Sequence, residues 1–350
     1  MSSEDRLSAS DPVVHGGGLS PREISAVLSQ FSIGEVESIR PFLAGSTQAP
    51  KARVTTDSGV FLLKRLAPSR SDLEGMRFQH RILRHLTIAG FPVAELQISN
   101  DNVTMVSHEA HYYELCRWVE GKRYQFQIAA AKACGAAMAA MHDLLVPLIA
   151  DSPDRRGYHD RPDVAHAVAE LARAASDSVQ AGYLRLGDHL RQSRRHVRGY
   201  WPELLVRVVH GDWHPGNILL GGDRVVAVID FESARTEPRV ADLANGLMQF
   251  TLSREPGSSV DEWPIECDMD LLGQMANGFQ LVARRRLDDV ELDCIPSLMI
   301  EALATEITIT LRRKGQVRKM GPDVVLPWVM NRLDWINTNR AAIIDAVSNG

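Results

Sequence analysis

The sequence predicts an α+β protein of two lobes, a small β-rich N-terminal lobe and a larger helical C-terminal lobe. Three observations carry this. The chain has 350 residues, more than the roughly 250–300 at which single cores stop growing. Short strand patterns broken by turn residues fill about residues 34–65 and return near 96–119, and from Gly121 onward the periodicity is mostly helical.

Residues 1–19 combine Ser, Asp and Gly16-Gly17-Gly18, a composition that buries little apolar surface, and are expected to form a flexible tail. Residues 20–120 then make the N-terminal lobe. Ser20-Pro21 reads as a helix cap and first-turn proline ahead of Ile24, Val27, Leu28 and Phe31. Strands follow, with a break at Gly45-Ser46-Thr47 and a turn at Asp57-Ser58-Gly59 leading into Val60–Lys64. Leu73, Met76, His80, Leu83 and Leu86 recur at helical spacing up to Gly90, and two strands are expected near 96–106 and 111–119. Gly121 opens the C-terminal lobe, 121–350. Its expected helices lie at 125–145, in one or two pieces over 163–200, and near 239–253, 268–284, 297–313 and 325–347; Val206–Phe231 is a β interlude around a polar loop.

Composition excludes more than it names. A formal charge of −5 with 24% charged residues gives no basic field for nucleic acid, which is not an expected partner. Cys116, Cys134, Cys267 and Cys294 are scattered and form no CxxC pair, so neither a zinc knuckle nor a disulfide framework is implied, and a reducing cytoplasm is the expected setting. The polar start lacks a signal-peptide core and no run reaches about 18–20 apolar residues, so no membrane association is expected.

The chemistry sits in His210-Gly211-Asp212-Trp213-His214-Pro215-Gly216-Asn217 and, one hairpin later, Ile229-Asp230-Phe231-Glu232. An aspartate five positions before an asparagine, with a second aspartate opening Asp-Phe, matches the layout of phosphoryl transfer in kinases. Asp212 suits a base that orients and deprotonates a hydroxyl. Asn217 and Asp230 offer hard oxygen ligands for Mg²⁺. Gly211 and Gly216 permit a tight loop, and together with Pro215 they oppose the helix that would let His210 and His214 share a zinc ion.

These motifs, with Ala241-Asp242-Leu243-Ala244, resemble the superfamily of aminoglycoside phosphotransferases, choline kinase and type II homoserine kinase over about residues 35–345. The resemblance implies a bilobal protein-kinase-like fold, ATP and Mg²⁺ as cofactors, Asp212 as catalytic base, Asn217 and Asp230 as metal ligands, and Asp242 bracing the loop. It also implies that Lys64 contacts the α- and β-phosphates, although a strand-end lysine facing solvent is the plainer alternative. Gly45, Ser46 and Thr47 take the place of the nucleotide-covering turn. Leu115, Cys116, Arg117 and Trp118 take that of the connection whose backbone meets adenine, or else simply finish a buried strand.

One position departs from the family pattern. The glutamate that usually pairs with the lysine falls at Gln79, and Met76, Gln79, Leu83 and Leu86 share a helical face. Gln79 is therefore expected to be buried and to hold Lys64 through its amide.

The acceptor is expected to be a hydroxyl of a small molecule, with an amino alcohol, an amino sugar or a homoserine-like metabolite in range. Acids at 261–270 and 288–293 fit a cationic substrate or, more simply, solvated helix faces. A bacterial Ser/Thr protein kinase and a noncatalytic nucleotide-binding regulator remain the alternatives.

Overall fold

The computed structural model describes residues 18–42, 49–66, 73–159, 161–253 and 258–349. The chain divides into two compact units, one running through Glu120 and including Ala227–Glu232, the other made of Gly121–Val226 and Ser233–Gly350.

The first unit is built on a five-stranded antiparallel sheet, β1 (Val36–Phe42), β2 (Lys51–Thr56), β3 (Gly59–Arg65), β4 (Val106–His108) and β5 (His111–Arg117), in the order β1-β2-β3-β5-β4. Helix α1 (Pro21–Leu28) starts where the sequence places it. Ser20 Oγ accepts from the Glu23 N–H at 3.2 Å and Glu23 returns a carboxylate to the Ser20 N–H at 3.1 Å, a reciprocal cap. Its apolar face, Ile24, Val27 and Leu28 with Phe31 beyond, packs into one core with Val54, Phe61, Leu63 and Leu115. Helix α2 (Leu73–Ile88) buries Met76, Phe78, Gln79, His80, Ile82, Leu83 and Leu86, and Gly90 turns the chain away at φ 71°.

The strand expected over 96–106 is not continuous. Leu96 forms an isolated bridge to Cys116 and Ser99 another to Phe31, the chain turns through Ser99–Asn102 with Asn102 at φ 61°, and a continuous ladder resumes at β4. Turn-forming Asn and Asp at 100–102 break the ladder that the apolar residues suggest.

The second unit is mainly helical: α3 (Ile128–Leu144), α4 (Pro162–Ala174), α5 (Asp177–Arg198), α6 (Arg239–Phe250), α7 (Met269–Val282), α8 (Asp289–Lys314), α9 (Pro322–Thr338) and α10 (Arg340–Ser348). Short strands β6 (Lys122–Arg123), β7 (Val206–Val209), β8 (Ile218–Gly221), β9 (Arg224–Val228) and β10 (Arg235–Pro238) surround the polar loop, with β7 paired to β10 and β8 lying between β6 and β9. Helices α3 and α7 touch backbone to backbone. A Cβ on Gly135 would stand 1.9 Å from Met275 O, and one on Gly278 would stand 1.9 Å from Lys132 O.

Helix α8 begins eight residues before the sequence reading starts it. Asp288 caps the Glu291 N–H at 2.9 Å, and Pro296 lies inside the helix, where a sequence reading stops. Glu291, read as part of an acidic face, is instead fully buried and receives both Arg239 Nε and Nη2 at 2.7 Å. The acids at 261–270 are exposed, with Glu262 and Asp268 in helix caps. Helix α8 is long and apolar enough to cross a membrane, but 83% of its most apolar window is buried inside the fold, as befits a core helix.

Candidate active site

The loop after β7 is fixed from beneath by α6. Asp242, 3% exposed, accepts the His210 N–H at 2.9 Å and the Gly211 N–H at 3.0 Å, and lies 3.0 Å from His142 Nε2. Burial pushes its carboxyl up, but the His142 hydrogen bond, the neighbouring imidazoles and the His210 N–H outweigh this and hold it below the usual carboxylate range. Asn245, one turn on, donates to Trp213 O at 3.4 Å. The loop needs glycine at 211. Its φ is +77°, and a Cβ there would meet Arg235 Nη1 at 2.2 Å and Ser233 O at 2.4 Å.

Within that frame the Asp212 side chain stays 42% exposed. Its backbone N–H donates to His210 Nδ1 at 3.3 Å, and His214 Nε2 stops 3.7 Å from its Oδ2, beyond hydrogen-bond range. Asn217, buried in the 3₁₀ turn Pro215–Asn217, donates Nδ2 to Asp212 O at 3.0 Å. Its Oδ1 therefore remains as an acceptor. His210 and His214 bond locally to the backbone N–H groups two residues on, at Asp212 and Gly216, the structural role favoured over zinc ligation.

In the first unit Lys64 is 7% exposed, which removes the reading of a solvent-facing lysine. Its ammonium bonds the Glu232 carboxylate and stands 3.8 Å from Glu114 and 3.9 Å from Asp230. Burial works against the charge, but Glu114, Asp230 and Glu232 more than restore it and raise Lys64 above the ordinary lysine range. Asp230 sits at φ 66° with its side chain 39% exposed. A non-glycine residue held there costs on the order of 1–3 kcal/mol, strain of the kind that clusters at functional sites. Lys51 is the cross-strand partner of Lys64, and burial and that second positive charge pull its ammonium below the usual lysine range.

Two sequence expectations need correction. Gln79 is buried, 5% exposed, but no hydrogen bond joins it to Lys64. The adjacent helix position faces the lysine's neighbourhood instead: His80 Nε2 lies 2.9 Å from Glu114 Oε2, and Glu114 is the cross-strand partner of Lys64. One residue along a helix is about 100° of rotation, enough to redirect the contact. Leu115–Trp118, assigned to an adenine edge, have backbone engaged in the sheet. Leu115 O accepts from Gln97, Arg117 N–H donates to Glu95 O and Trp118 N–H to Val60 O at 2.7–2.8 Å, while Cys116 pairs with Leu62. Strand β5 ends at Arg117, and Trp118 keeps a bond to the sheet through its N–H before the chain runs on through Val119 and Glu120. Gly45, Ser46 and Thr47 lie outside the described residues.

Sequence reasoning assigned no role to Glu114, His80 or Glu232. Glu232 carried a signal, two positions after Asp230; Glu114 and His80 depend on strand register and helix rotation.

A sequence model of the phosphotransferase enzyme family APH matches residues 38–272. The chain belongs to that family. Membership makes it a phosphotransferase, a kinase with an alcohol group as acceptor. Homoserine kinase of Zymomonas mobilis is 26% identical over 229 residues, 65% of this chain and 69% of that protein. Among solved structures, a microcompartment-associated aminopropanol kinase superposes with TM-score 0.67 at 13% identity, over 93% of this chain and 98% of that one. Amicoumacin kinase hAmiN, in complex with AMP-PNP, Ca²⁺ and Ami, gives TM-score 0.65 at 13% identity, over 91% of this chain and 94% of that one. These likenesses make the fold kinase-like.

Each unit carries an oxygen donor of the kind a hard cation takes. Among the described residues no three His, Cys, Asp or Glu side chains make a metal cage by themselves, and Mg²⁺ is commonly held by one or two protein oxygens with phosphate and water completing its shell. A partly exposed Asp230 carboxylate and the remaining Asn217 Oδ1 are donors of that kind.

Proposed function

We propose that this APH-family enzyme transfers the γ-phosphoryl group of ATP, as its magnesium complex, to the hydroxyl of a small metabolite that also carries an ammonium group. The observation that carries the reading is the Asp242-braced loop. It fixes the backbone leading into Asp212 while the carboxylate, 42% exposed, is met by a long hydrogen bond from Asn217 Nδ2 at 3.4 Å and by His214 Nε2 at 3.7 Å, which leaves it open to a hydroxyl. In the reaction the acceptor oxygen bonds to the γ-phosphorus, the bond to the β-bridging oxygen breaks, ADP departs, and the hydroxyl proton passes to Asp212. Asp230 and Asn217 would hold the metal, whose charge offsets that of the phosphate oxygens. Lys64 is assigned to the α- and β-phosphates, and the backbone past the end of β5, from Trp118 to Glu120, is assigned to the base.

The ammonium preference rests on the continuation of the same helix face. Asp242 and Asn245 hold the loop, and one turn further Gln249 Nε2 bonds the carboxylate of Glu306, which is exposed on α8. An exposed carboxylate next to the loop-bearing face favours a cationic acceptor. A homoserine kinase relative and an aminopropanol kinase neighbour, both named for amino-bearing alcohols, support the class. Such chemistry fits a cytoplasmic enzyme.

Asp212→Asn tests the proposal. ADP release is measured across a panel of amino alcohols, amino sugars and homoserine, with a protein substrate as control. Turnover of the accepted substrate should fall about 100-fold or more in the variant, with melting temperature and ATP binding retained. Wild-type turnover by the variant removes Asp212 from the chemistry.

A further inference from the structure

We propose that His80 is a positioning residue of this phosphotransferase, fixing through Glu114 where the Lys64 ammonium stands for the nucleotide's phosphates. The inference rests on the reading of Lys64 as the phosphate-binding lysine.

A chain of contacts, running from a half-buried threonine into the core, leads to that ammonium. Thr104 Oγ1 lies 2.8 Å from His80 Nδ1, His80 Nε2 lies 2.9 Å from Glu114 Oε2, and Glu114 Oε1 lies 3.8 Å from Lys64 Nζ. His80, Glu114 and Lys64 are 5%, 4% and 7% exposed. An ionised carboxylate only accepts hydrogen bonds, so Nε2 carries a proton and donates it to Glu114. Burial works to neutralise Glu114, but Lys64 and His80 together hold it ionised, below the usual carboxylate range.

The distances define the role. With one oxygen taken by His80, the Glu114 side chain has a single orientation, and its other oxygen attracts the ammonium from 3.8 Å without forming a hydrogen bond. A Glu114 free to rotate would be able to bond Lys64 directly and withhold a donor from phosphate. His80 therefore does more than fill the core: it keeps a strong counter-charge at a distance that steers the lysine without taking a second donor beside the one given to Glu232, so the remaining donors stay available to another anion. The carboxylate stands on β5, directly across the sheet from Lys64, and helix α2 contributes the imidazole that aims it.

Calorimetric titration of the full chain with Mg·ADP and with adenosine tests this, because a positional loss is selective for the phosphates. His80→Leu should bind Mg·ADP about tenfold more weakly and adenosine as the wild type does, the size expected for losing a hydrogen bond to a charged group. His80→Gln, which keeps an N–H donor for Glu114, should recover most of the loss. In a Glu114→Gln background, His80→Leu should cause no further weakening. Unchanged Mg·ADP affinity in His80→Leu, or equal weakening of ADP and adenosine, overturns the positioning role. Lys64→Ala separates the two layers. Wild-type Mg·ADP affinity in that variant refutes the phosphate role of Lys64 itself, whereas weakened binding there with none in His80→Leu refutes only His80. Should His80→Leu fail to fold, Thr104→Val removes just the hydroxyl at Nδ1. A phosphate-selective loss of about threefold supports the proposal and no selective loss overturns it.

Discussion

Replacing Asp242 by alanine should damage both stability and turnover, by amounts that follow from its three partners. The substitution leaves the His210 N–H, the Gly211 N–H and His142 Nε2 without the acceptor they now share. An unsatisfied buried polar group costs about 1–3 kcal/mol, and the substitution leaves three donors in that state. Taking roughly 4 kcal/mol for the set, against a typical total of about 5–15 kcal/mol, predicts a melting temperature lower by about 8–16 °C. Asp242→Asn keeps one acceptor oxygen and should lose about half as much. The native carboxyl has a depressed pKa, so its stabilisation is complete above the ordinary aspartate value of about 3.9 and disappears as pH falls through the depressed one. Thermal scans from pH 7 down to 3 should accordingly show a constant gap between wild type and the alanine variant that begins to narrow below about pH 3.9. Scanning fluorimetry measures the stability and ADP release the turnover. An alanine variant that melts within about 2 °C of wild type and keeps its turnover would refute the argument that Asp242 holds the loop.

Three further outcomes follow. Gly211→Ala forces a side chain into a left-handed position against Arg235 and Ser233 O; it should cost at least about 1–3 kcal/mol and depress turnover, and wild-type melting would show that the loop tolerates a Cβ. Asp230→Ala should abolish the magnesium dependence of nucleotide binding, read by titration with and without Mg²⁺; an unchanged dependence removes Asp230 from the metal site. The four cysteines are free and buried, burial raising Cys116 and Cys134 well above the ordinary thiol range and Cys294 to about 12. Strong reductant should leave the melting temperature unchanged and thiol reagents should react only on unfolding; destabilisation by reductant would contradict the free-thiol state.

The parts of this protein legible in its sequence are those in which neighbours along the chain are neighbours in space. The α1 cap is one such case, since Ser20 and Glu23 are three residues apart and close on each other. The loop from His210 to Asn217 is another, its glycines and its 3₁₀ turn being local requirements. What escaped the reading depends on pairing across distance. Glu114 becomes the neighbour of Lys64 only through the β3–β5 register, fifty residues apart in the chain. His80 rather than Gln79 reaches it because helix rotation is set by packing, and residues 79 and 80 are both buried, so periodicity alone does not say which one meets the sheet. Glu291 looked solvated because its partner, Arg239, lies on another helix.

The source of the carboxylate beside Lys64 has a mechanical consequence. In protein kinases the lysine is paired with a glutamate on a movable helix, so displacing the helix breaks the pair and switches the enzyme off. Here Glu114 and Lys64 stand on adjacent strands of one antiparallel sheet, and backbone hydrogen bonds fix their spacing. Moving α2 cannot separate them; it can only withdraw His80 and release the orientation of Glu114. Control through this helix is therefore expected to be graded, changing affinity for the nucleotide's phosphates by the worth of one charged hydrogen bond, where loss of an ion pair gives an all-or-none effect. Glu114→Ala, which removes one of the three carboxylates around the ammonium, should consequently weaken Mg·ADP binding more than any substitution confined to α2. A His80 variant that weakens Mg·ADP as severely as Glu114→Ala would show that the helix, and not the sheet, holds the lysine.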